Sequence, residues 1–313
     1  MTPAELSRTV LHAVCRAVED GVLRAPVPES VRIERPRPGG RGDYATNVAL
    51  RLAGPAGRPA GDVAALLKER IGRTGGIERV EVTGPGFLNF TLAGSAQQRL
   101  LETVREQGDR YGMPDGPRAT AFAHADEPRA RVWAETLIRL GARPLDGETV
   151  TVVPVPRGGL AESLGGDAAR WALLAAAAHD RPRIEGLLVQ HERNPLYRVR
   201  YAHARARALS RGAAALGFGA APDAYVDAPA LTTAVADHPR VVADAARLRA
   251  PDRLARHLDV TADALLAFQH TVLPVGDEKP SAAHRSRLAL AEAAGTVLAG
   301  GLSLLGISAP EHL

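Results

Sequence analysis

One helix-like segment of this chain concentrates the side chains that could recognise a charged ligand. Residues 194–209 read NPLYRVRYAHARARAL, with four arginines, two tyrosines and a histidine. Guanidinium groups pair with phosphate oxygens and stack on planar bases, and tyrosine rings offer a second stacking surface. Between Arg181 and Arg211 there are eight arginines against two carboxylates, Glu185 and Glu192. This composition indicates a cationic and aromatic surface of the kind that holds single-stranded RNA.

Helical geometry sorts these side chains into faces, because successive residues are turned by about 100° around the axis. The apolar face is formed by Leu196, Val199, Ala202, His203, Ala206 and Leu209. Two groups of cations border this face, Arg198 with Arg205 on one edge and Arg200, Arg207 and Arg211 on the other. Tyr197 and Tyr201 lie opposite the apolar face. His203, inside that face, is expected to be packed and hydrogen-bonded rather than a ligand or a catalyst.

Two interpretations of this segment stay open at this point. In the first, it is a helix of a bundle whose arginines extend along the rim and whose tyrosines pack on a neighbouring helix. In the second, it faces RNA, with arginines on the phosphates and bases stacked on tyrosine or arginine planes. Helical geometry alone does not separate the two.

The elements that must position this helix fall into regions of different character. Residues 1–112 mix helical and strand-like segments, which predicts an α+β domain with a small antiparallel sheet and helices. The predicted elements are helices over 3–20, 43–53, 61–72 and 95–112, with Asp43 and Ser95 as N-caps, and strands over 31–36, 78–83 and 87–92. From Asp167 onwards nearly every segment has helical periodicity, which predicts an all-α helical bundle over 167–313.

The middle region, residues 113–166, reads as strand, helix and strand. The three segments are ATAFAHA, EPRARVWAETLIRLGA and ETVTVVPV. This βαβ-like unit is too short to stand alone as a nucleotide-binding domain. An amphipathic helix explains Arg129, Arg131 and Arg139 better than an anion site does.

Composition excludes several classes of site. The chain has 313 residues and a net charge of +4, and Lys68 and Lys279 are its only lysines among 39 cations. Cys15 is the single cysteine, which excludes an intramolecular disulfide and a cysteine-cluster zinc site and fits a reducing compartment. The N-terminal segment does not have the pattern of a signal peptide, and no uninterrupted apolar run approaches membrane-spanning length. We therefore expect a cytoplasmic protein.

The segment NPLYRVRYAHARARAL resembles the signature at the start of the anticodon-binding domain of arginyl-tRNA synthetases. Four further stretches are similar to the same family. They are DAARWALL (167–174), which looks like the element that gives the DALR domain its name, the closing helix and tail (287–313), and GDYATNVALRLA (42–53) and VEVTGPGFLNFTL (80–92), which look like the family's additional N-terminal domain. The resemblance covers residues 1–112 and 165–313.

The resemblance implies contacts with tRNA at two places. The family uses the aromatic residue and the asparagine of its GPGFLNF-like element to recognise a D-loop base, which makes Phe87 and Asn89 candidates. It reads the anticodon with the tyrosine–histidine–arginine helix and the last residues of the chain. The anticodon-binding candidates are therefore Tyr197, Arg198, Arg200, Tyr201, His203, Arg205, Arg207 and Leu313. The family tail often ends in methionine, so Leu313 departs from the pattern at a contact position.

The sequence departs most from the family in the catalytic core, a class I nucleotide-binding fold. The family's His-x-Gly-His signature is absent, and His124–Asp126 is its nearest approach. The family's lysine-bearing loop is also unmatched, because no lysine occurs between Lys68 and Lys279. The resemblance thus implies an N-terminal-like domain over 1–112, a linker with a short βα remnant of a Rossmann-like catalytic domain over 113–166, and a DALR-like helical domain over 167–313.

The function implied by this resemblance is tRNA binding without aminoacylation by the chain alone, in an accessory or regulatory paralogue. Arginine tRNA is the first candidate partner. Two alternatives stay open: a component of an arginine–tRNA ligase that acts with a separate catalytic subunit, and a protein-interaction or dimerisation module that has lost RNA binding. No cofactor or metal is expected, and ATP enters only if the family activity persists. No membrane association is expected.

Overall fold

The computed structural model describes residues 3–34, 36, 42–72, 74–92, 94–116, 119–155 and 163–313, with the backbone alone for 94 and 95. The chain is about 55% helical and forms two compact units, residues 1–100 and 101–313. The first unit contains a small antiparallel sheet with helices, and helices dominate the second. The prediction of an α+β region followed by a helical region is therefore confirmed. The three family domains with boundaries near 112 and 166 stay predictions.

In the first unit, helices pack against a three-stranded antiparallel sheet. The helices are α1 (Pro3–Glu19), α2 (Val48–Ala56) and α3 (Ala60–Ile71), and the strands are β1 (Tyr44–Thr46), β2 (Ile77–Thr83) and β3 (Phe87–Leu92). Strand β3 is central and pairs antiparallel with both neighbours. The two longer strands were predicted, and they flank the Gly84–Gly86 turn as expected. Gly86 is required there, because a Cβ on it would lie 2.9 Å from the Cβ of Ala60.

Alternation along β3 separates its core residues from its site candidates. Leu88 and Phe90 are fully buried in the core that α1 and α3 complete. Successive side chains of a strand point to opposite faces. Phe87 and Asn89 therefore lie on the face of the sheet away from these helices.

The predicted helix over 43–53 is wrong in its first residues. Its beginning forms β1 instead, and α2 starts at Val48. Asp43 is not a helix cap, because its backbone N–H donates to the carbonyl of Phe90 at 2.7 Å and its carboxylate accepts the Leu92 N–H at 2.7 Å. Pairing with β3 thus outweighs the local capping signal.

Two further predictions concern the strand over 31–36 and the helix cap at Ser95. The predicted strand over 31–36 shrinks to an isolated bridge, in which Glu34 and Ala45 exchange backbone hydrogen bonds of 2.8 and 2.6 Å. The predicted cap Ser95 lies outside the side chains that the structure describes. The helix that it was expected to begin is α4 (Gly94–Gln107).

The second unit is built around its last helix. The further helices are α5 (Pro128–Arg139), α6 (Gly166–Ala175), α7 (Pro195–Ala215), α8 (Pro229–Arg247), α9 (Pro251–Phe268) and α10 (Ala282–Leu305). Helix α10 packs against α7, α8 and α9. Small residues allow the close approach, since a Cβ on Gly301 would lie 2.3 Å from the side chain of Leu258. By length and composition α10 could cross a membrane, but 72% of its apolar window is buried inside the protein, as in a core helix.

The middle of the chain has the predicted strand–helix–strand order. Strands β4 (Ala123–His124) and β5 (Thr149–Val150) pair in parallel, with α5 between them in sequence. Each strand is only two residues long, so the predicted strands were too long.

An amphipathic helix was predicted to explain Arg129, Arg131 and Arg139, and on α5 the latter two are exposed, but Arg129 is not on the polar face. The side chain is fully buried. Its five N–H groups donate to main-chain carbonyls of Leu173, Ala176, Ala177, Val153 and Asp180, at 2.7 to 3.1 Å. Burial lowers its pKa, which the charges of nearby carboxylates oppose. Arg129 therefore joins α5 to the carbonyl end of α6, where the helix dipole favours a cation.

A buried ring stack joins the start of the second unit to α8. Pro239 lies inside α8 and lacks an N–H, which frees the carbonyl of Val235. The hydroxyl of Tyr111 donates to that carbonyl at 3.0 Å. The Tyr111 ring stacks on His238, which in turn stacks on His257, with centroid separations of 6.1 and 5.5 Å. His238 is fully buried and burial lowers its pKa to about 4.

Candidate nucleic-acid interface

Helix α7, the predicted ligand-facing helix, is started by one side chain with two tasks. The Asn194 Oδ1 atom accepts the backbone N–H groups of Leu196 and Tyr197 at 3.1 and 3.3 Å, which is a helix N-cap. Its Nδ2 group donates to the carbonyls of Leu187 and Val189 at 2.8 and 2.9 Å. Asn194 therefore holds the preceding loop against the start of α7. This role was not predicted from the sequence, although Asn before Pro at the first helical position is a known N-terminal signal.

One edge of α7 is bound to its neighbour α9. Arg198 donates to the carboxylate of Asp259 at 2.6 and 2.9 Å and lies 3.0 Å from that of Asp263. Burial alone would lower the pKa of Arg198, but the hydrogen bond and charge of Asp259 outweigh it and raise the pKa. Arg205 donates to Gln269 at 2.8 Å. These two guanidinium groups hold protein partners.

The other edge of α7 faces the tail that follows α10. Arg200 donates to Ser308 at 3.3 Å, and Arg207 lies 2.9 Å from the carboxylate of Glu311. Both side chains of the latter pair are about half exposed. Arg211 and His312 meet at 3.5 Å. The tail thus lies along the arginines of this edge.

The DAAR element at 167–170 fixes the beginning of this tail. The carboxylate of Asp167 accepts both the backbone N–H and the hydroxyl of Ser308. Arg170 donates to the Leu305 carbonyl at 2.6 Å and pairs with Glu135 at 2.9 Å. The element therefore joins α6 to the end of α10 and to α5.

His203 is buried and hydrogen-bonded, as its place on the apolar face predicts. It is 5% exposed, and its Nδ1 lies 2.9 Å from the carbonyl of Pro310. Because a carbonyl only accepts, this nitrogen carries the proton. Burial lowers the pKa of His203; the hydrogen bond to Pro310 opposes this, and the charge of Arg207 adds to it. His203 is thus a neutral anchor for the tail.

One ring of the tyrosine pair, that of Tyr197, lines a cavity. The rings of Tyr197 and Tyr201 stack with centroids 5.8 Å apart and planes 12° apart, and both residues are partly buried. A cavity of about 350 Å³ opens at the start of α7. Its walls include Asp167, Leu187, Tyr197, Arg200 and Leu313. We call it the tyrosine cavity.

The structure therefore divides the anticodon-binding candidates. Tyr197, Arg200 and Leu313 come together at the tyrosine cavity. Arg198 and Arg205 face α9, and His203 and Arg207 contact the tail further along α7.

The two candidates of the first unit have different surroundings. Asn89 is 4% exposed and its amide donates to the hydroxyl of Thr83 at 2.6 Å. Phe87 is partly buried at the start of β3, next to the Gly84–Gly86 turn. The ring of Phe87 is the more accessible of the two side chains.

Comparison with known proteins agrees with both units. The model of the arginyl tRNA synthetase N terminal domain matches residues 5–92, and that of the DALR anticodon binding domain matches residues 199–313. An arginine–tRNA ligase of Frankia alni is 48% identical over 118 residues, 38% of this chain and 21% of that protein. One from Kineococcus radiotolerans is 45% identical over 120 residues, 37% of this chain and 22% of that protein. The aligned stretches thus span about a fifth of these relatives.

The fold has a solved counterpart. The arginyl-tRNA synthetase of Thermus thermophilus superposes with a TM-score of 0.67 at 15% identity, over 100% of both chains. At this identity the likeness shows a shared fold. Through its N-terminal domain and its DALR domain, the chain belongs to the arginyl-tRNA synthetase family.

Proposed function

We propose that this chain binds tRNA and does not by itself join arginine to it. The observation that carries the proposal is the tyrosine cavity, where Tyr197, Arg200 and Leu313 meet beside the part of the chain that matches an anticodon binding domain. A cavity that combines a tyrosine ring, an apolar wall and an arginine suits an unstacked RNA base. Asp167, 3.8 Å from Arg200, also lines the cavity, and its two carboxylate oxygens accept from Ser308.

A second contact on tRNA is proposed for the first unit. The partly buried Phe87 offers a ring on which a D-loop base can stack. Asn89, on the same face of β3, is held by Thr83 and positions that surface rather than reaching far into solvent.

The middle of the chain supports the absence of amino-acid activation. We take β4, α5 and β5 as the remnant of a nucleotide-binding fold, with strands of two residues each. Activation needs groups that hold ATP and neutralise charge on its phosphates. The sequence has neither the His-x-Gly-His signature nor a lysine between Lys68 and Lys279. On α5, all five N–H groups of the Arg129 guanidinium donate to main-chain carbonyls and are not available to a phosphate.

Two assays on the purified full chain test the proposal. Fluorescence anisotropy with arginine tRNA and a second tRNA, at two salt concentrations, is expected to give saturable binding that weakens with salt. ATP–pyrophosphate exchange with arginine is expected to stay at the level of a protein-free blank. Millimolar or weaker affinity for both tRNAs at low salt contradicts the binding part, and exchange well above the blank contradicts the non-catalytic part.

A further inference from the structure

The loop before α7 carries arginines that the fold does not use. Arg181, Arg183 and Arg193 are exposed, and within the described ranges their guanidinium groups have no hydrogen-bond or ion-pair partner. Arg198 and Arg205 on α7, by contrast, are held by α9 and by Gln269, the residue that follows it. Within residues 181–205, the cations available to an external anion are therefore those of the loop.

These three arginines line one cleft. The cleft has a volume of about 740 Å³ and lies between the loop, α6 and α9. Trp171 and Pro195 contribute to its apolar wall. We call it the arginine cleft.

The carboxylates in the arginine cleft are partly neutralised from elsewhere. The carboxylate of Asp259 is paired with Arg198 on α7. A further cation in the cleft, Arg256, is paired with Asp252. Asp180 and Glu185 also line the cleft, as two carboxylates against the three loop arginines. The unpaired charge of the cleft is therefore positive.

The same loop also forms a wall of the tyrosine cavity. Leu187 lines both, so the arginine cleft and the tyrosine cavity adjoin at this loop. Leu188 and Val189 are 61% and 57% exposed beside the tyrosine cavity. Asn194 fixes the loop through the carbonyls of Leu187 and Val189. One ordered loop thus presents cations on one side and apolar and aromatic surface on the other.

We propose that residues 180–194 form a ridge crossed by a single RNA strand, with phosphates in the arginine cleft and a base in the tyrosine cavity. This inference rests on the proposed function and adds a site to it. Proteins hold single strands by combining a cationic groove for the backbone with rings on which bases stack. An acidic peptide would satisfy the arginine cleft but would leave the tyrosine cavity unused.

The test compares two triple variants with the same change of charge. The first replaces Arg181, Arg183 and Arg193 by Ala, and the control replaces three exposed arginines outside both cavities, Arg110, Arg139 and Arg143. Anisotropy is measured with tRNA and with a short oligouridylate. The loop variant is expected to lose affinity for both RNAs about tenfold or more. The slope of log affinity against log salt concentration should become shallower by about 2, because each single-strand phosphate contact contributes about 0.7. The control is expected to lose less than threefold.

Two further variants sharpen the assignment. Glu185→Gln is expected to raise the affinity about twofold, because it removes a negative charge from the arginine cleft. Tyr197→Ala is expected to lower RNA affinity about tenfold, as for one lost base–ring stack, without changing the salt slope. Equal losses in the loop and control triples overturn the ridge. So does an unchanged affinity in Tyr197→Ala together with equally tight binding of polyglutamate.

The two proposals fail in different ways. If the wild-type chain binds oligouridylate but no tRNA, the proposed function is overturned, and the two triples still decide the ridge. If it binds tRNA and the two triples lose the same affinity, only the ridge is overturned. Absence of binding of either RNA overturns both.

Discussion

The arginines of α7 and those of the loop before it are alike in sequence but differ in what they contact. Arg198 on α7 binds two carboxylates of α9. Arg183 in the loop is exposed and lines an open cleft. Both belong to the same cationic stretch, and composition alone assigns them the same task. An arginine-rich segment therefore indicates charge, whereas only the contacts indicate which charges are free to bind a ligand.

The largest expected effect concerns the arginine most committed to the fold. Arg129→Met leaves five main-chain carbonyls without their donors, so we expect the free energy of unfolding to fall by about 3–5 kcal/mol. Arg131→Met, two residues along the same helix and exposed, should change it by less than about 0.5 kcal/mol. Urea denaturation of both variants measures the difference. A loss below about 1 kcal/mol for Arg129→Met would contradict the role given to this residue.

His238 is a second group committed to the fold, and it adds pH dependence. Burial lowers the pKa of His238 to about 4, below the 6.5 of an unfolded histidine. The unfolded chain therefore binds more protons between these values, so stability is complete above about pH 6.5 and is lost as pH falls towards 4. The lowered pKa corresponds to a loss of free energy of unfolding on the order of 3 kcal/mol.

Denaturation of wild type and His238→Leu at pH 7, 5.5 and 4.5 checks this pH dependence. The variant should be less stable at pH 7 and should lose less stability than wild type on acidification. Parallel pH profiles for the two proteins would rule out His238 as the source.

Asn194 contacts both α7 and the loop before it. Different substitutions of Asn194 can therefore affect the helix and the loop separately. Asn194→Ala removes the cap of α7 and both bonds to the loop, and we expect about 2 kcal/mol of lost stability. Asn194→Asp keeps the acceptor for the cap but not the donor for the loop. It should therefore lose less stability than Ala while weakening RNA binding by a similar factor. Equal RNA affinity in Asn194→Asp and wild type would show that the loop needs no such anchor.

The smallest expected effect tests the comparison itself. Arg198→Ala should lower stability by about 1–2 kcal/mol, because it leaves the carboxylate of Asp259 unpaired. Arg183→Ala should leave stability within about 0.5 kcal/mol of wild type and lower RNA affinity more than Arg198→Ala does. Urea denaturation gives the stability of the two variants, and anisotropy on the same preparations gives their RNA affinity. The reverse order of the RNA affinities would break the distinction between committed and available arginines.

Much of the fold could be predicted because the signals are local. The periodicity of α1, α3 and α7 and the Gly84–Gly86 turn fix the existence of these elements and most of their bounds. Asp43 shows the limit of local reasoning. Its position before an apolar run is typical of a helix cap, but its hydrogen bonds go to Phe90 and Leu92, which are distant in sequence.

The candidate site was less predictable for a related reason. The angles around α7 placed His203 correctly on the buried face, because that depends only on helical period. They could not show that Arg198 meets Asp259 or that Tyr197 borders a cavity with Leu313, because those contacts depend on how α7 packs in the second unit. The loop arginines belong to the same cationic stretch, but their exposure could not be predicted, because a loop has no period that marks its solvent-facing side.

Hydrogen–deuterium exchange on the full chain, with and without saturating tRNA, shows directly whether residues 180–194 contact RNA. We expect slower exchange at the amides of residues 181–193 and of the first turn of α7 when tRNA is bound. Helix α8, which is assigned no RNA contact, should be unchanged. Saturating tRNA that leaves residues 181–201 unprotected while it protects α8 would contradict RNA binding at this loop.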